Sequence, residues 1–229
     1  MIPPSEFVKS DHSFSATITM NYSPVSKFIN TGNYDYLVSI GNKCPTAMIL
    51  NELNVYGESF PFDYIPTTPA LVLKYLKNQD DYYPEKNIVR TKDDVWFGHF
   101  DISDNYVQTI ETFQRRFARL FDVLQKQSRI LFVYTSEADV YNEMNNRYND
   151  NYNDITKLVE YICETYKYND FRVLCIHTNK TFEDTNNIIN YTLNVADKYL
   201  SDDMSTHVHE TCAPYRYVLK TLMGEIFQK

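Results

Sequence analysis

The residue best suited to chemistry in this sequence is Cys44, which follows an apolar run and precedes a proline. The run over 34–41 predicts a buried strand, and Pro45 suits the first position of a helix because it has no N–H to leave unpaired there. Since the residue before a proline avoids the helical region, Cys44 is predicted to be the N-cap. A sulfur there faces free N–H groups and the positive end of the helix dipole, which both favour the nucleophilic thiolate. The alternative is that Cys44 is a small buried hydrophobic residue.

The three residues before Cys44 have types that would support such a nucleophile. Gly41 lets the backbone turn sharply and approach a substrate closely. Lys43 adds a second positive charge beside the thiol, and the side chain of Asn42, together with the N–H groups that begin the helix, could stabilise an oxyanion.

A nucleophilic thiol needs a base within hydrogen-bonding distance and usually a third group that orients the base. His99 is one candidate base, and Asp101 would share a face with it on an extended backbone and could orient its ring. The alternative is an ordinary loop pair before a helix that is capped by Ser103 or Asp104. His177 follows another predicted strand and is a second candidate at the site, or else a satisfied histidine at the edge of the sheet.

The remaining histidines and cysteines give no pattern of a metal or cofactor site. His12 lies in a polar N-terminal stretch, and His207 and His209 form a pair with no third ligand at metal spacing. The four cysteines include no C-x-x-C pair, and Cys163 and Cys175 suit structural positions. We therefore expect no metal and no cofactor.

The elements that must position these residues follow the pattern of an α/β fold. Three nearly continuous apolar runs predict buried strands of a parallel sheet, over 34–41, 129–136 and 171–179. Helices are predicted over 68–78, 105–127, 152–167 and 215–228. Alternation of this kind predicts a layered sheet with mainly parallel central strands flanked by helices, and polar groups gathered at the carboxyl ends of the strands.

We expect one domain over 34–229, preceded by an N-terminal arm over 1–33. The arm alternates apolar and polar residues over 12–20, which predicts one edge strand. An asparagine-rich stretch over 142–154 predicts a helix end and an exposed loop.

Composition limits the classes of partner. The net charge is −8, with 30 acidic and 22 basic residues, which argues against a nucleic-acid binder and against docking on an anionic membrane. Apolar stretches of the roughly 20 residues that a membrane span requires are absent, and so is a secretory signal. Reduced thiols in the cytoplasm are therefore expected, and the oligomeric state is left open.

An ordered series of short motifs resembles a known family of unknown function, described as papain-like cysteine peptidases and found in bacteria and large DNA viruses. The motifs are SIGNKC, SFPFDY, FGHFD, FQRRFARL and RILFVYTSEAD, which together cover about residues 34 to 140. The resemblance implies a peptidase with Cys44 as its nucleophile and His99 as its base. In a viral member, the compartment would be the cytoplasm of the host cell.

The resemblance also extends to the turn after the first helix and to the basic helix. Asp63 and Tyr64 match the family's Pro-Phe-Asp-Trp turn, with tyrosine in place of tryptophan, and Arg116 matches the basic helix. The substrate-binding candidates are then Lys43, Tyr64, His177 and Arg116, and Asp63 is an alternative to Asp101 for orienting His99. The alternative for the arginines is that they simply support an exposed helix face. The chain departs from the family at Tyr134, where the family usually has arginine. Asp63 could equally be structural, since aspartate in a turn often caps its own backbone.

Two classes of function follow. The first is a thiol hydrolase acting on a peptide, an isopeptide or another acyl group. The second is a binding or interaction protein on the same scaffold, in which Cys44 is inert and a ligand or partner occupies the strand ends. A nucleotide- or sugar-handling transferase is a third, but neither a G-x-G-x-x-G motif nor a P-loop is present.

Overall fold

The computed structural model describes residues 5–7, 18–41, 44–136, 152–195 and 217–228. The six strands of its main sheet are β1 (Ser5–Phe7), β2 (Ile18–Tyr22), β4 (Tyr36–Ser39), β5 (Ile130–Thr135), β6 (Phe171–Thr178) and β7 (Ile188–Val195), in the spatial order β1-β2-β7-β6-β5-β4. Strands β4 to β7 are parallel, and β1 and β2 are antiparallel additions beside β7. A second, two-stranded parallel sheet pairs β3 (Ile29–Asn30) with β8 (Phe227–Gln228).

Helices cover both faces of the sheet. They are α1 (Pro45–Glu52), α2 (Pro69–Lys77), α3 (Tyr106–Gln125), α4 (Tyr152–Tyr166) and α5, which spans 217–226 of the described chain. One core layer lies between the sheet and helices α2, α3 and α4, and the other lies between the sheet and helices α1 and α5. The predicted α/β class with mainly parallel central strands is confirmed.

The sequence of strand β5 is almost entirely apolar because both faces of the strand are covered. All six of its residues are buried. Ile130, Phe132 and Tyr134 pack in the α2–α3–α4 layer, while Leu131 and Val133 pack in the α1–α5 layer. A strand covered on both faces has no solvent side on which polar residues could alternate.

The fourth parallel strand, β7, was missed by the sequence analysis. Its connection from β6 spans only residues 179–187, which is shorter than the dozen or so residues that a parallel crossover usually needs. The backbone N–H of Asn190 donates to the Asp184 carboxylate at 2.9 Å, and its side chain donates to the carbonyl of Glu183 at 2.7 Å. These two hydrogen bonds stabilise the short connection. Since no helix separates the two strands, the expected alternation of strands and helices gave no signal for β7.

The chain ends also differ from the prediction. The N-terminal arm contributes two strands to the main sheet rather than one, because β1 pairs with β2 and β2 pairs with β7. The predicted terminal helix over 215–228 stops at residue 226, and the next two residues instead pair with β3. The predicted exposed loop within 142–154 lies largely outside the described residues, as do 12–17 of the predicted arm strand and His207 and His209.

The boundaries of α3 agree with the predicted helix to within two residues. Val107 is 68% exposed, and burial of apolar residues starts at Phe113 and continues through Phe117 and Leu120. The side of the first turn that carries Val107 therefore faces solvent, while Thr109 in the same turn is buried.

Candidate functional site

Cys44 lies where strand β4 passes into helix α1. It is the N-cap of α1, but its φ of −53° and ψ of −35° are helical, so the extended backbone predicted from Pro45 is wrong. The amide of Met48 donates to the carbonyl of Cys44 at 3.1 Å, which makes Cys44 part of the first helical turn. Its side chain makes no capping hydrogen bond to α1.

Among the described residues, two loops contribute polar neighbours to the Cys44 sulfur. Its Sγ lies 3.2 Å from Nε2 of His99 and 3.6 Å from the carbonyl oxygen of Tyr64. Residues 44, 64 and 99 are far apart in sequence, so the site is assembled by the fold from three separate segments.

Gly41 sets the position of α1 against the ends of the strands. A Cβ on Gly41 would lie 1.9 Å from Oγ1 of Thr46 and 3.0 Å from Oγ1 of Thr135. These two hydroxyls are themselves 2.5 Å apart in a buried hydrogen bond between α1 and β5. Glycine is therefore required for space, and the close approach is to these two threonines rather than to a substrate.

The carbonyl that faces Cys44 belongs to a tight turn. Tyr64 has a φ of 61°, a left-handed conformation that is uncommon for a bulky residue. The preceding Asp63 accepts a hydrogen bond from the amide of Phe60 at 2.7 Å, and Asn51 donates to the Tyr64 hydroxyl at 2.9 Å. Asp63 thus supports the turn, which is the structural alternative given above, and the side chain of Tyr64 is held against α1.

Asp63 is completely buried, and its neighbours have opposing effects on its pKa. Burial raises its pKa to about 6, while the nearby Tyr56 hydroxyl, the hydrogen bond from the Phe60 amide and the charges of Arg116 and Arg119 act in the lowering direction. Burial and the adjacent Asp63 carboxylate in turn raise the pKa of Tyr56. The Asp63 carboxylate therefore lies among arginines of α3 and residues of its own loop, and its contacts in the described structure do not include His99.

Arg116 lies over aromatic rings rather than in open solvent. Its guanidinium carbon is 5.8 Å from the ring centre of Phe100 and 5.3 Å from that of Phe113. The neighbouring Arg119 bonds to the carbonyl of Ser59 and pairs with Glu58 at 3.1 Å. The positive charges of α3 thus support the turn that carries Asp63, and substrate binding by Arg116 stays a prediction.

His99 lies on an exposed loop whose neighbours are anchored in the core. Phe97 is fully buried, and its amide donates to the carbonyl of Val89 at 2.7 Å. The indole of Trp96 folds back over Gly98, and its ring centre is 5.1 Å from that of His99 at an interplanar angle of 67°. The imidazole therefore has an aromatic neighbour on one side and the Cys44 sulfur on another.

Asp101 does not contact His99 within the described part of the chain. One carboxylate oxygen accepts from the amides of Ser103 at 3.0 Å and Asp104 at 2.9 Å, and the other accepts from the side chain of Asn105 at 2.6 Å. These hydrogen bonds, of which that from the Ser103 amide has the largest effect, hold the pKa of Asp101 below its ordinary value. Asp101 thus caps the turn that precedes α3. The N-cap of α3 itself is Asn105, which makes no side-chain capping hydrogen bond, rather than Ser103 or Asp104 as the alternative interpretation had it.

An aromatic cluster, formed by Tyr82, Phe62, Phe97, Phe113 and Phe117, joins the two loops of the site. The buried ring of Tyr82 lies 6.1 Å from Phe62, beside the Asp63 turn, and 5.2 Å from Phe97, beside the His99 loop. Its hydroxyl donates to the carbonyl of Pro61 at 2.5 Å. Neither Tyr82 nor Trp96 was identified from the sequence, where an aromatic residue in a loop carries no signal of its contacts.

His177 lies in a different environment. It is buried on β6, and its ring lies 4.6 Å from that of Phe182 and 5.9 Å from that of Tyr152. Its Nε2 is 2.8 Å from Oδ1 of Asn190, whose Nδ2 donates to the carbonyl of Glu183. Because Oδ1 must then be the acceptor, His177 donates from Nε2, as a satisfied buried histidine does.

Two predicted members of the site, Asn42 and Lys43, lie outside the described residues. Over the described ranges, groups of three or more His, Cys, Asp or Glu side chains that could hold a metal ion are absent. In the same ranges, the helices are too short or too polar to cross a membrane.

Comparison of the chain with protein-family models, with curated proteins and with solved structures finds no match. The resemblance to papain-like cysteine peptidases therefore stays a prediction. Any assignment of function has to be argued from the geometry of the Cys44–His99 pair.

Proposed function

We propose that the protein is a thiol hydrolase in which Cys44 is the nucleophile and His99 is its general base. The observation that carries the proposal is the distance of 3.2 Å between the Cys44 sulfur and Nε2 of His99. A nucleophile and its base act as a pair at about this separation. The start of α1 adds a second favourable term, since the positive end of a helix stabilises a thiolate.

The reaction proceeds in two steps at the same sulfur. The Cys44 thiolate attacks the carbonyl carbon of the substrate, a C–S bond forms, and His99, which holds the thiol proton, gives it to the departing amine or alcohol. Water then attacks the thioester while His99 accepts a proton from it, the C–S bond breaks, and a carboxylic acid leaves as the thiol is restored. N–H groups at the start of α1 are candidate donors for the oxyanion.

The substrate class is a peptide, an isopeptide or another acyl compound. The order of Cys44 before His99 in the chain is that of papain-like enzymes, so the motif series supports a peptidase within this class. The three described cysteines, Cys44, Cys163 and Cys175, form no disulfide, which agrees with the cytoplasm, where thiols are kept reduced, as the proposed compartment.

A binding or interaction protein on the same scaffold is the second candidate. The observation that favours it is that neither Asp63 nor Asp101 orients His99 in the described structure, since the bonds of both carboxylates are made elsewhere. In such a protein the contact between Cys44 and the carbonyl of Tyr64 would simply satisfy an inert thiol.

The first experiment is the pH dependence of iodoacetamide alkylation, measured for each cysteine by mass spectrometry in wild type and His99→Ala. A thiol with the ordinary pKa of about 8.5 is ionised to only about 0.3% at pH 6, so an active pair should react up to about a hundredfold faster there. We expect fast alkylation of Cys44 at pH 6 in the wild type and loss of most of that rate in His99→Ala. Cys163 is the internal control, because burial raises the pKa of its thiol.

Equal rates for Cys44 in the two proteins, at the level of a free thiol or below, would refute the pair and favour the binding protein. If the pair is found, acyl and peptide probes identify the substrate. Cys44→Ala should then fold normally and abolish turnover, and full retention of turnover would exclude Cys44 as the nucleophile.

A further inference from the structure

We infer that Trp96 is the positioning residue of His99 and takes the place that a carboxylate or carboxamide side chain usually holds in a thiol–imidazole site. The inference rests on the proposed function, since it concerns the same pair. It assigns the orientation of the base to an aromatic contact rather than to a hydrogen bond.

The two carboxylates nearest in sequence to the site residues have other partners. Both oxygens of Asp101 accept hydrogen bonds from residues 103–105 at the entry to α3. Asp63 is bonded to the Phe60 amide and lies among the charges of α3. Across the ranges that the structure describes, the contacts of His99 are with the Cys44 sulfur and the Trp96 ring.

The geometry of the ring pair favours the form of His99 that the reaction requires. The rings of Trp96 and His99 meet nearly perpendicular, with centres 5.1 Å apart. Aromatic pairs in this arrangement bring the positive edge of one ring to the negative face of the other, and a cation over an indole is stabilised further. The contact thus limits rotation of the imidazole and supports the imidazolium that faces a Cys44 thiolate.

Trp96 can position another residue because it is itself fixed. A Cβ on Gly98 would lie 1.9 Å from Cζ2 and 2.1 Å from Cε2 of the indole, so the ring packs directly on the backbone before His99. Trp96 also pairs with Arg90 in an antiparallel bridge, and the next residue, Phe97, is buried in the aromatic cluster. The indole therefore contacts both the base and the peptide that carries the base.

Four variants test this inference by the pH at which the alkylation rate of Cys44 is half-maximal: Trp96→Leu, Trp96→Phe, Gly98→Ala and Asp101→Asn. The interaction energy of an edge-to-face ring pair corresponds to about a three- to tenfold change in the alkylation rate of Cys44 at pH 6. We expect Trp96→Leu to raise the half-maximal pH and slow alkylation at pH 6 by this factor, and Trp96→Phe to restore most of it. Gly98→Ala, which displaces the indole but keeps it, should shift the profile in the same direction as Trp96→Leu.

Asp101→Asn is the matched control, because it alters the nearest carboxylate in sequence and leaves the ring pair intact. Far-UV circular dichroism and thermal unfolding establish that each variant is folded. If Cys44 reacts alike in wild type and His99→Ala, the proposed function fails. If those two differ while Trp96→Leu keeps the wild-type profile, only the role of Trp96 is overturned, and a shifted profile in Asp101→Asn alone would assign that role to the carboxylate.

Discussion

Replacing Asp63 by asparagine should change how the stability of the protein depends on pH. Burial raises the pKa of Asp63 to about 6 from an ordinary value of 3.8. The folded state therefore holds this proton more tightly than the unfolded chain, and the group stabilises the protein most fully below pH 3.8. As the pH rises from about 4 to about 6, that contribution is lost, and above pH 6 it changes no further.

The size of the effect follows from the shift. A difference of roughly two pKa units corresponds to about 3 kcal/mol of unfolding free energy lost between pH 4 and pH 7. Asp63→Asn cannot ionise, yet its side-chain oxygen can still accept from the Phe60 amide. Urea unfolding at pH 4, 5, 6 and 7 should thus show wild type losing about 3 kcal/mol relative to Asp63→Asn across this range. Other titrating groups are common to both proteins and cancel in the difference.

Two further variants define what the comparison measures. Asp63→Ala also removes the bond from Phe60, and it should be less stable than Asp63→Asn by about 1 kcal/mol at every pH. Asp101→Asn has the opposite sign, because hydrogen bonds lower the pKa of Asp101, so its wild-type contribution is present at neutral pH and lost in acid. Parallel profiles for wild type and Asp63→Asn from pH 4 to pH 7 would refute the reasoning and mean that the charges of Arg116 and Arg119 fully offset the burial of the carboxylate.

Two substitutions at positions that hold the site together have more direct consequences. Gly41→Ala places a Cβ against Thr46, so we expect it to lower the unfolding free energy by about 1–3 kcal/mol in urea titrations, and wild-type stability would contradict the required close approach. Tyr82→Phe removes the buried hydrogen bond to the carbonyl of Pro61 and should cost about 1–3 kcal/mol in the same assay, while a neutral effect would mean that water replaces the hydroxyl.

The parallel core could be predicted because burial on both faces leaves a clear pattern. Strands β4, β5 and β6 are nearly continuous apolar runs, and the apolar spacing of α3 and α4 matches one helical face. Strand β7 gave no such signal, because one of its residues is the hydrogen-bonding Asn190 and it follows β6 without a helix. The pairing of β3 with β8 depends on only two residues in each strand, which is too short for any periodicity.

The site could be predicted only in part. A cysteine between a strand and a proline has a local reason to be an N-cap, and that placement of Cys44 agrees with the structure even though its backbone is helical. The expectation that Asp101 would orient His99 assumed an extended backbone between them. The chain instead turns into α3 there, and the local amides of residues 103 and 104 take the carboxylate. Local hydrogen bonds of this kind compete with a distant partner and usually win, because they require little additional ordering of the chain.

The separation of Cys44 and His99 depends on packing more than on polar contacts. On the side of the sheet, the close packing of Gly41 against Thr46 fixes the start of α1, which carries the Cys44 sulfur. On the other side, the aromatic cluster packs around Phe97, which lies two residues before His99 and so limits the position of its imidazole. Close-packed side chains transmit small displacements, so an error of a few tenths of an ångström in either layer reaches the 3.2 Å distance directly. If His99 is the proposed base, it is held in this way without a buried carboxylate, while Asp63 supports the turn that presents the carbonyl of Tyr64 to the same sulfur.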